Sequence, residues 1–157
     1  MTDEKPETSE FGSVDPAPAS VDADVKLLRE TLCDEDGRMF ERMRALFALR
    51  NLGGAESIDA LAGGFESKSA LLKHEIAYVM GQMQESHAVQ HLIDRLSDPE
   101  EDLMVRHEAA EALGAIGDRT AMSTLESFRN DPEPVISESC EVAIDLLDWM
   151  QSKSVDY

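Results

Sequence analysis

Leu71-Leu72-Lys73-His74-Glu75-Ile76-Ala77-Tyr78-Val79-Met80-Gly81-Gln82 returns 33 residues later as Met104-Val105-Arg106-His107-Glu108-Ala109-Ala110-Glu111-Ala112-Leu113-Gly114-Ala115. Both copies have helical periodicity and no interior proline. Repeat proteins ordinarily repeat the apolar residues that pack one unit on the next. Here an imidazole and a carboxylate recur as well, and these are metal-ligand chemistries.

Two further stretches extend the repeat. Glu41-Arg42-Met43-Arg44-Ala45-Leu46-Phe47-Ala48-Leu49-Arg50 aligns with the His74 stretch at an offset of 31, and Val135 to Ile144 aligns with the His107 stretch at about 30. Shorter helical segments precede each of these. Asp36-Gly37, Gly53-Gly54, Asp98-Pro99, Asp131-Pro132 and Pro134 fall where helices should stop or start. The spacing predicts four helix pairs, at about 21–34 with 38–52, 55–66 with 68–84, 86–97 with 101–116, and 119–130 with 133–151. Units of this length without strands predict an all-α fold, an α-solenoid of about four HEAT-like helix pairs. Residues 1–20, acidic and carrying Pro6, Pro16 and Pro18, read as a disordered tail or linker. Residues 21–151 read as the repeat domain and 152–157 as a second tail.

The composition agrees with a helical domain. Of 157 residues 42% are hydrophobic and only 5% aromatic, and Ala, Leu, Glu and Met are plentiful. With 33 acidic against 14 basic residues, the net charge of −19 argues against nucleic acid and anionic membranes and favours a basic protein partner. There is no apolar run of membrane-spanning length and no apolar signal core, so the expected location is the cytoplasm. Cys33 and Cys140 lie far apart, outside any CxxC spacing, and are expected to be free buried thiols.

In a solenoid the second helices of successive pairs lie side by side, about 8–10 Å apart. That arrangement places His74 beside His107 and Glu75 beside Glu108, two imidazoles and two carboxylates bordering one groove. Such a mixed donor set suits iron or manganese. Gly81 and Gly114 each follow a histidine by seven residues and lie on its face. An interior glycine costs a helix about 1 kcal/mol relative to alanine, so a substrate chain or a facing helix is expected to approach closely there. The corresponding positions of the first and fourth pairs read as Arg50 and Ile144.

Other residues carry weaker signals. His87 and His91 have the i, i+4 spacing of a metal clamp, but with no carboxylate repeating beside them they read as a solvated outer face. Met43, Met80 and Met83 read as core filler. Met104, at the start of the second His-Glu helix, is placed to touch substrate, and Trp149 is expected to cap the last repeat. The chain has no Ser-His-Asp arrangement, phosphate loop or basic aromatic patch.

These motifs resemble those of deoxyhypusine hydroxylase. The wording is carried by Leu71-Leu72-Lys73-His74-Glu75, by Met104 through Gly117, and by Phe47-Ala48-Leu49-Arg50-Asn51, and the likeness runs from about Ser13 to Asp148. It is strongest to the C-terminal half of that family. Ser13-Val14-Asp15-Pro16-Ala17-Pro18 resembles the segment after the inter-half linker, and Glu138-Ser139-Cys140-Glu141-Val142-Ala143 resembles the last repeat.

The resemblance implies a deoxyhypusine monooxygenase, or half of one, built of HEAT-like repeats. Such an enzyme uses Fe(II), two ions per complete site, and O2 to hydroxylate the deoxyhypusine side chain of a translation factor. His74, Glu75, His107 and Glu108 are then the expected ligands. Gly81 and Gly114 make room for dioxygen or substrate, and Tyr78 and Glu111 support the ligands from the next turn. The cationic, polyamine-like arm suits an acidic groove. The family has four His-Glu pairs and this chain has two. The 157 residues are therefore read as a fragment, a separately encoded half, or a half that pairs with its own copy, with activity of the chain alone left open. A different reading is a non-catalytic HEAT-like repeat binding module in which the His-Glu pairs are structural.

Overall fold

The computed structural model describes residues 4–155 of the chain. Among these residues eight helices follow one another: α1 (Val25–Cys33), α2 (Met39–Leu52), α3 (Gly54–Gly63), α4 (Ala70–Met83), α5 (Val89–Ser97), α6 (Leu103–Ile116), α7 (Met122–Ser127) and α8 (Pro134–Val155). One isolated bridge, Thr8 to Val14, is the extended pairing among them. The eight segments match the four expected pairs, and the all-α solenoid is the observed architecture.

Polar caps start the helices that matter most. Asp24 accepts from the amides of Lys26 and Leu27 at the head of α1. Ser69 accepts from Leu72 at the head of α4, and Asp102 from Met104 at the head of α6. Gly117, at φ +80°, ends α6 and donates its amide to the Leu113 carbonyl.

The helices form two layers. α2, α4, α6 and α8 pack in one row, and α1 and α3 pack in the other, with α5 against α6 and α7 against α8. Between the layers lies one continuous apolar core containing Leu32, Leu46, Ile58, Leu61, Leu72, Ile76, Met80, Leu92, Leu96, Leu113, Leu125 and Ile136. Met43 and Met80 belong to it, as their spacing suggested.

Buried cations tie the layers together. The Arg42 Nε donates to the Leu32 carbonyl at 2.9 Å, and the Arg106 Nε donates to the Leu96 carbonyl at 2.9 Å. Each thereby satisfies a carbonyl in the last turn of the preceding helix. Lys73 holds the equivalent place in α4 and pairs instead with the buried Glu101 at 2.6 Å. Each of these residues immediately precedes the position occupied by Met43, His74 or His107, so the tie fixes the turn that presents the histidine.

Four expectations are corrected. Residues 4–20 are not a loose tail. The Asp15 carboxylate meets both terminal nitrogens of Arg50, at 2.6 and 2.9 Å. Ala17 is buried, and Pro18 accepts from the Arg44 side chain at 3.0 Å. Composition alone missed this because a few specific contacts, not an apolar helix face, hold the arm; residues 1–3 of that reading lie outside the described residues.

The expected tail at 152–157 is helical as far as Val155, and residues 156–157 lie outside the described residues. The register of the fourth repeat also differs. Gly81 faces Ala112 and Gly114 faces Ala143, and those alanines are 31 positions apart, so Asp145 rather than Ile144 corresponds to Gly114. Finally, Trp149 does not seal the end of the stack. It is half-exposed, with the Lys153 ammonium 3.9 Å from its ring centre.

Candidate metal centre

Glu108 is the centre of the arrangement. It sits in the second turn of α6 with only 7% of its surface exposed. The His74 Nε2, from the second turn of α4, stands 3.0 Å from its Oε2. The His107 Nε2 lies 3.8 Å from that same oxygen, and the Glu111 carboxylate lies 3.8 Å from the His107 Nε2. His107, Glu108 and Glu111 each offer a ligand atom within 4.8 Å of the others, and His74 reaches Glu108 from the neighbouring helix.

Two glycines make this proximity possible. A Cβ on Gly81 would meet the Ala112 Cα at 3.1 Å, and one on Gly114 would meet the Ala143 Cα at 3.2 Å. Their absent side chains let α4, α6 and α8 approach closely. Of the two close approaches expected at these glycines, a substrate chain or a facing helix, the facing helix is present at both. Gly81 additionally borders a shallow groove of about 300 Å³ beside the site, with Tyr78, Gln82, Glu108 and Glu111. A larger recess of about 770 Å³ lies under the N-terminal arm, near Phe40 and Asn51, away from the His-Glu residues.

Ser139 sets the chemistry of His107. Its hydroxyl donates to the Val135 carbonyl. Having spent its proton there, it can only accept from the His107 Nδ1, which lies 2.6 Å away. A neutral imidazole with its proton on Nδ1 carries a lone pair on Nε2. That lone pair is directed at Glu108 and Glu111. The repeat itself signals this residue: Ser139 follows Glu108 by 31 positions, so the pair His107–Ser139 repeats the pair His74–Glu108. An offset of about 30 for the last repeat concealed it.

Burial governs the electrostatics of both carboxyls. Burial pushes the Glu108 carboxyl above its ordinary range. His74 counters this, Glu111 adds to it, and His107 opposes it. Burial likewise raises Glu75 against the pull of His74, with Asp15 adding and Arg50 opposing. Both carboxyls are thus harder to ionise than a solvated one. Two imidazoles, one with its lone pair presented, and clustered carboxylates are the donor chemistry that non-haem iron accepts, so the residues present fit such an ion.

The four expected residues are not brought into one set. His74 and His107 both face the same Glu108 oxygen, Glu111 joins His107 and Glu108, and Glu75 lies outside that cluster, within the influence of the His74, Asp15 and Arg50 charges. Adjacent residues on a helix point about 100° apart, so Glu75 leaves the helix in a different direction from His74. Tyr78 is 40% exposed at the groove, and Met104 is exposed in the first turn of α6. His87 and His91 lie elsewhere, with Asp59.

A profile described as HEAT repeats matches residues 65–145, just over half of the chain, and one described as PBS lyase HEAT-like repeat matches residues 41–66. The chain is 50% identical to rat deoxyhypusine hydroxylase over 92% of its own length and 48% of the relative. Identity is 47% to the human enzyme, over 98% of this chain and 51% of the relative. It is 50% to rice deoxyhypusine hydroxylase-B, over 92% and 48%. The solved structure of human deoxyhypusine hydroxylase in complex with glycerol superposes with a TM-score of 0.88 at 49% identity, over 92% of this chain and 50% of that one. The chain spans about half the length of the curated relatives it matches. No helix among the described residues is long and apolar enough to cross a membrane.

Proposed function

The chain belongs to the HEAT-repeat family, and from that premise we propose that it is one half of a deoxyhypusine monooxygenase whose metal site a second half completes. The observation carrying this reading is the presented His107 Nε2 facing Glu108, which His74 meets from the next repeat. The relatives that align with this chain over about half of their length are named for that hydroxylation.

In this reading His74, His107 and Glu108 hold one ferrous ion, with Glu111 alongside. Glu75, outside that cluster, is left for the second ion, so each half contributes to a pair. Bound iron supplies the activation of dioxygen for hydroxylating an unactivated carbon. The protein's own work is different. Ser139 holds the His107 proton on Nδ1 so that Nε2 is free. Burial strips water from Glu108, which raises its demand for a cation. The acidic surface, with a net charge of −19, draws in the cationic deoxyhypusine arm of the protein substrate. Tyr78 and Glu111 border the groove along which that arm can lie. The proposed location is the cytoplasm, where the translation factor is met, and the second half is a further stretch of a longer chain, a separate chain, or a second copy of this one.

The test is anaerobic reconstitution with Fe(II), with iron content and solution mass read together. Expected are iron-loaded dimers or heterodimers that hydroxylate a deoxyhypusine-bearing factor, with iron lost on His107→Ala. A chain that retains less than about one iron per pair, with or without a partner half, overturns the reading.

A further inference from the structure

We propose that Asp59, His87 and His91 form a second metal site, on the outer layer of the solenoid, for a borderline divalent transition ion such as Zn2+. It is independent of the His74–Glu108 set and of the activity proposed for it.

The sequence supplied two of the three ligands, histidines at i, i+4. The fold adds the carboxylate. Asp59 comes from α3, while His87 sits in the 3-10 turn Ser86–Ala88 and His91 in the first turn of α5. The His87 Nε2 lies 2.8 Å and the His91 Nε2 3.1 Å from the same oxygen, Asp59 Oδ1. The imidazoles meet edge to face, with centroids 6.2 Å apart at 66°, so both nitrogens aim at one point. All three ligand atoms lie within 4.8 Å of one another.

Zinc bonds of about 2.0–2.2 Å to nitrogen and oxygen in a tetrahedron separate ligand atoms by roughly 3.3 Å. Exposed side chains cover that difference by small rotations. Two imidazoles and one carboxylate leave a fourth position for water. Hydrogen bonds from His91 and then His87 hold the Asp59 carboxyl below its ordinary range, so it is a ready anionic ligand. Without an ion, each Nε2 needs a proton to donate to Asp59. A bound ion replaces both protons and is drawn by the net charge of −19. The imidazole-rich set favours zinc, copper or nickel, whereas the carboxylate-rich inner set favours iron. An ion here joins α3 to the start of α5 and so fastens neighbouring repeats.

The test is calorimetric titration with ZnCl2 of the full chain carrying His74→Ala and His107→Ala, which silences the inner set. Expected is a single Zn2+ per chain and, with Co2+, the visible absorption of a tetrahedral site. Adding His91→Gln is expected to weaken binding by more than the ~10–100-fold loss typical of an outer-shell partner. Absence of Zn2+ uptake, or uptake unchanged by His91→Gln, overturns the proposal. Should the double variant not fold, ring resonances of His87 and His91 are followed in the unsubstituted chain. Both are expected to shift as Zn2+ reaches saturation, and resonances that stay in place overturn the proposal.

Discussion

The Ser139 hydroxyl donates a hydrogen bond to the Val135 carbonyl and accepts one from the His107 Nδ1 at 2.6 Å, so α8 dictates which nitrogen of a histidine on α6 keeps a free lone pair. Ser139→Ala removes that dictation while leaving the side chain nearly isosteric. Iron affinity is expected to fall by ~10–100-fold with little change in helix content. Nitrogen-15 spectra should show His107 moving from a pure Nδ1-protonated form to a mixture. Unaltered iron affinity with the tautomer changed would sink the idea that this bond prepares a ligand.

The N-terminal arm is expected to stabilise the stack through Arg50 and Asp15. The Arg50 side chain is fully buried, between the rings of Phe11 and Phe47 at 4.6 and 5.0 Å. Arg50→Ala strands the Asp15 carboxylate and should cost about 3 kcal/mol, read from the urea midpoint. A loss within the error of the measurement would mean the arm is loosely attached.

The same pair gives a pH signature. Burial raises the Asp15 carboxyl, but hydrogen bonds from Arg50 and Ser13 and the Arg50 charge outweigh it, so it ends below the ordinary 3.8. A carboxyl lowered by folding contributes stability that is fully present above 3.8 and lost as pH falls through the lower folded value. Asp15→Asn is therefore expected to be less stable than the unsubstituted chain at neutral pH, and to lose less on acidification from pH 5 toward 2. Parallel unfolding curves across that range would exclude the linkage.

Gly81→Ala separates two roles for the glycine. Alanine gains about 1 kcal/mol of helix propensity. Its Cβ, however, would stand 3.1 Å from the Ala112 Cα, and backbone yields only if α6 moves. Overpacking of this kind costs about 1–3 kcal/mol, so a net loss is expected in thermal unfolding. A stabilised variant would show that the glycine serves an open groove rather than helix contact.

The thiols should differ in reactivity. Cys140 is buried, and burial is the main cause that pushes its thiol up to about 11, whereas Cys33 is half-buried. Native alkylation at neutral pH is expected to modify Cys33 and spare Cys140 until the chain is unfolded. Equal labelling in the native state would contradict the packing of α8 on α6.

Local signals made most of the fold legible. Breakers such as Asp36-Gly37, Gly53-Gly54 and Asp98-Pro99 act through a few neighbouring residues, so they can be read along the chain. The two-layer stack follows from the repeat, since equivalent positions must become neighbours. His74, His107 and Glu108 were found the same way. Glu111 and Tyr78 were legible as neighbours of the His-Glu residues, but not which of them joins the cluster.

What the sequence determined, then, is the periodic part of the protein: helix pairs, their order, and the imidazoles and carboxylates repeated on one row. The tertiary structure alone decided what depends on contacts between residues far apart in the chain. It left Glu75 outside the cluster around Glu108, put Ser139 behind His107, docked the arm on Arg50, and carried Asp59 to His87 and His91. The physical reason is that side-chain direction on a helix follows from its 3.6-residue period, whereas the partner met in that direction depends on how closely the next helix can approach. Here that distance is set by glycines facing alanines across the stack.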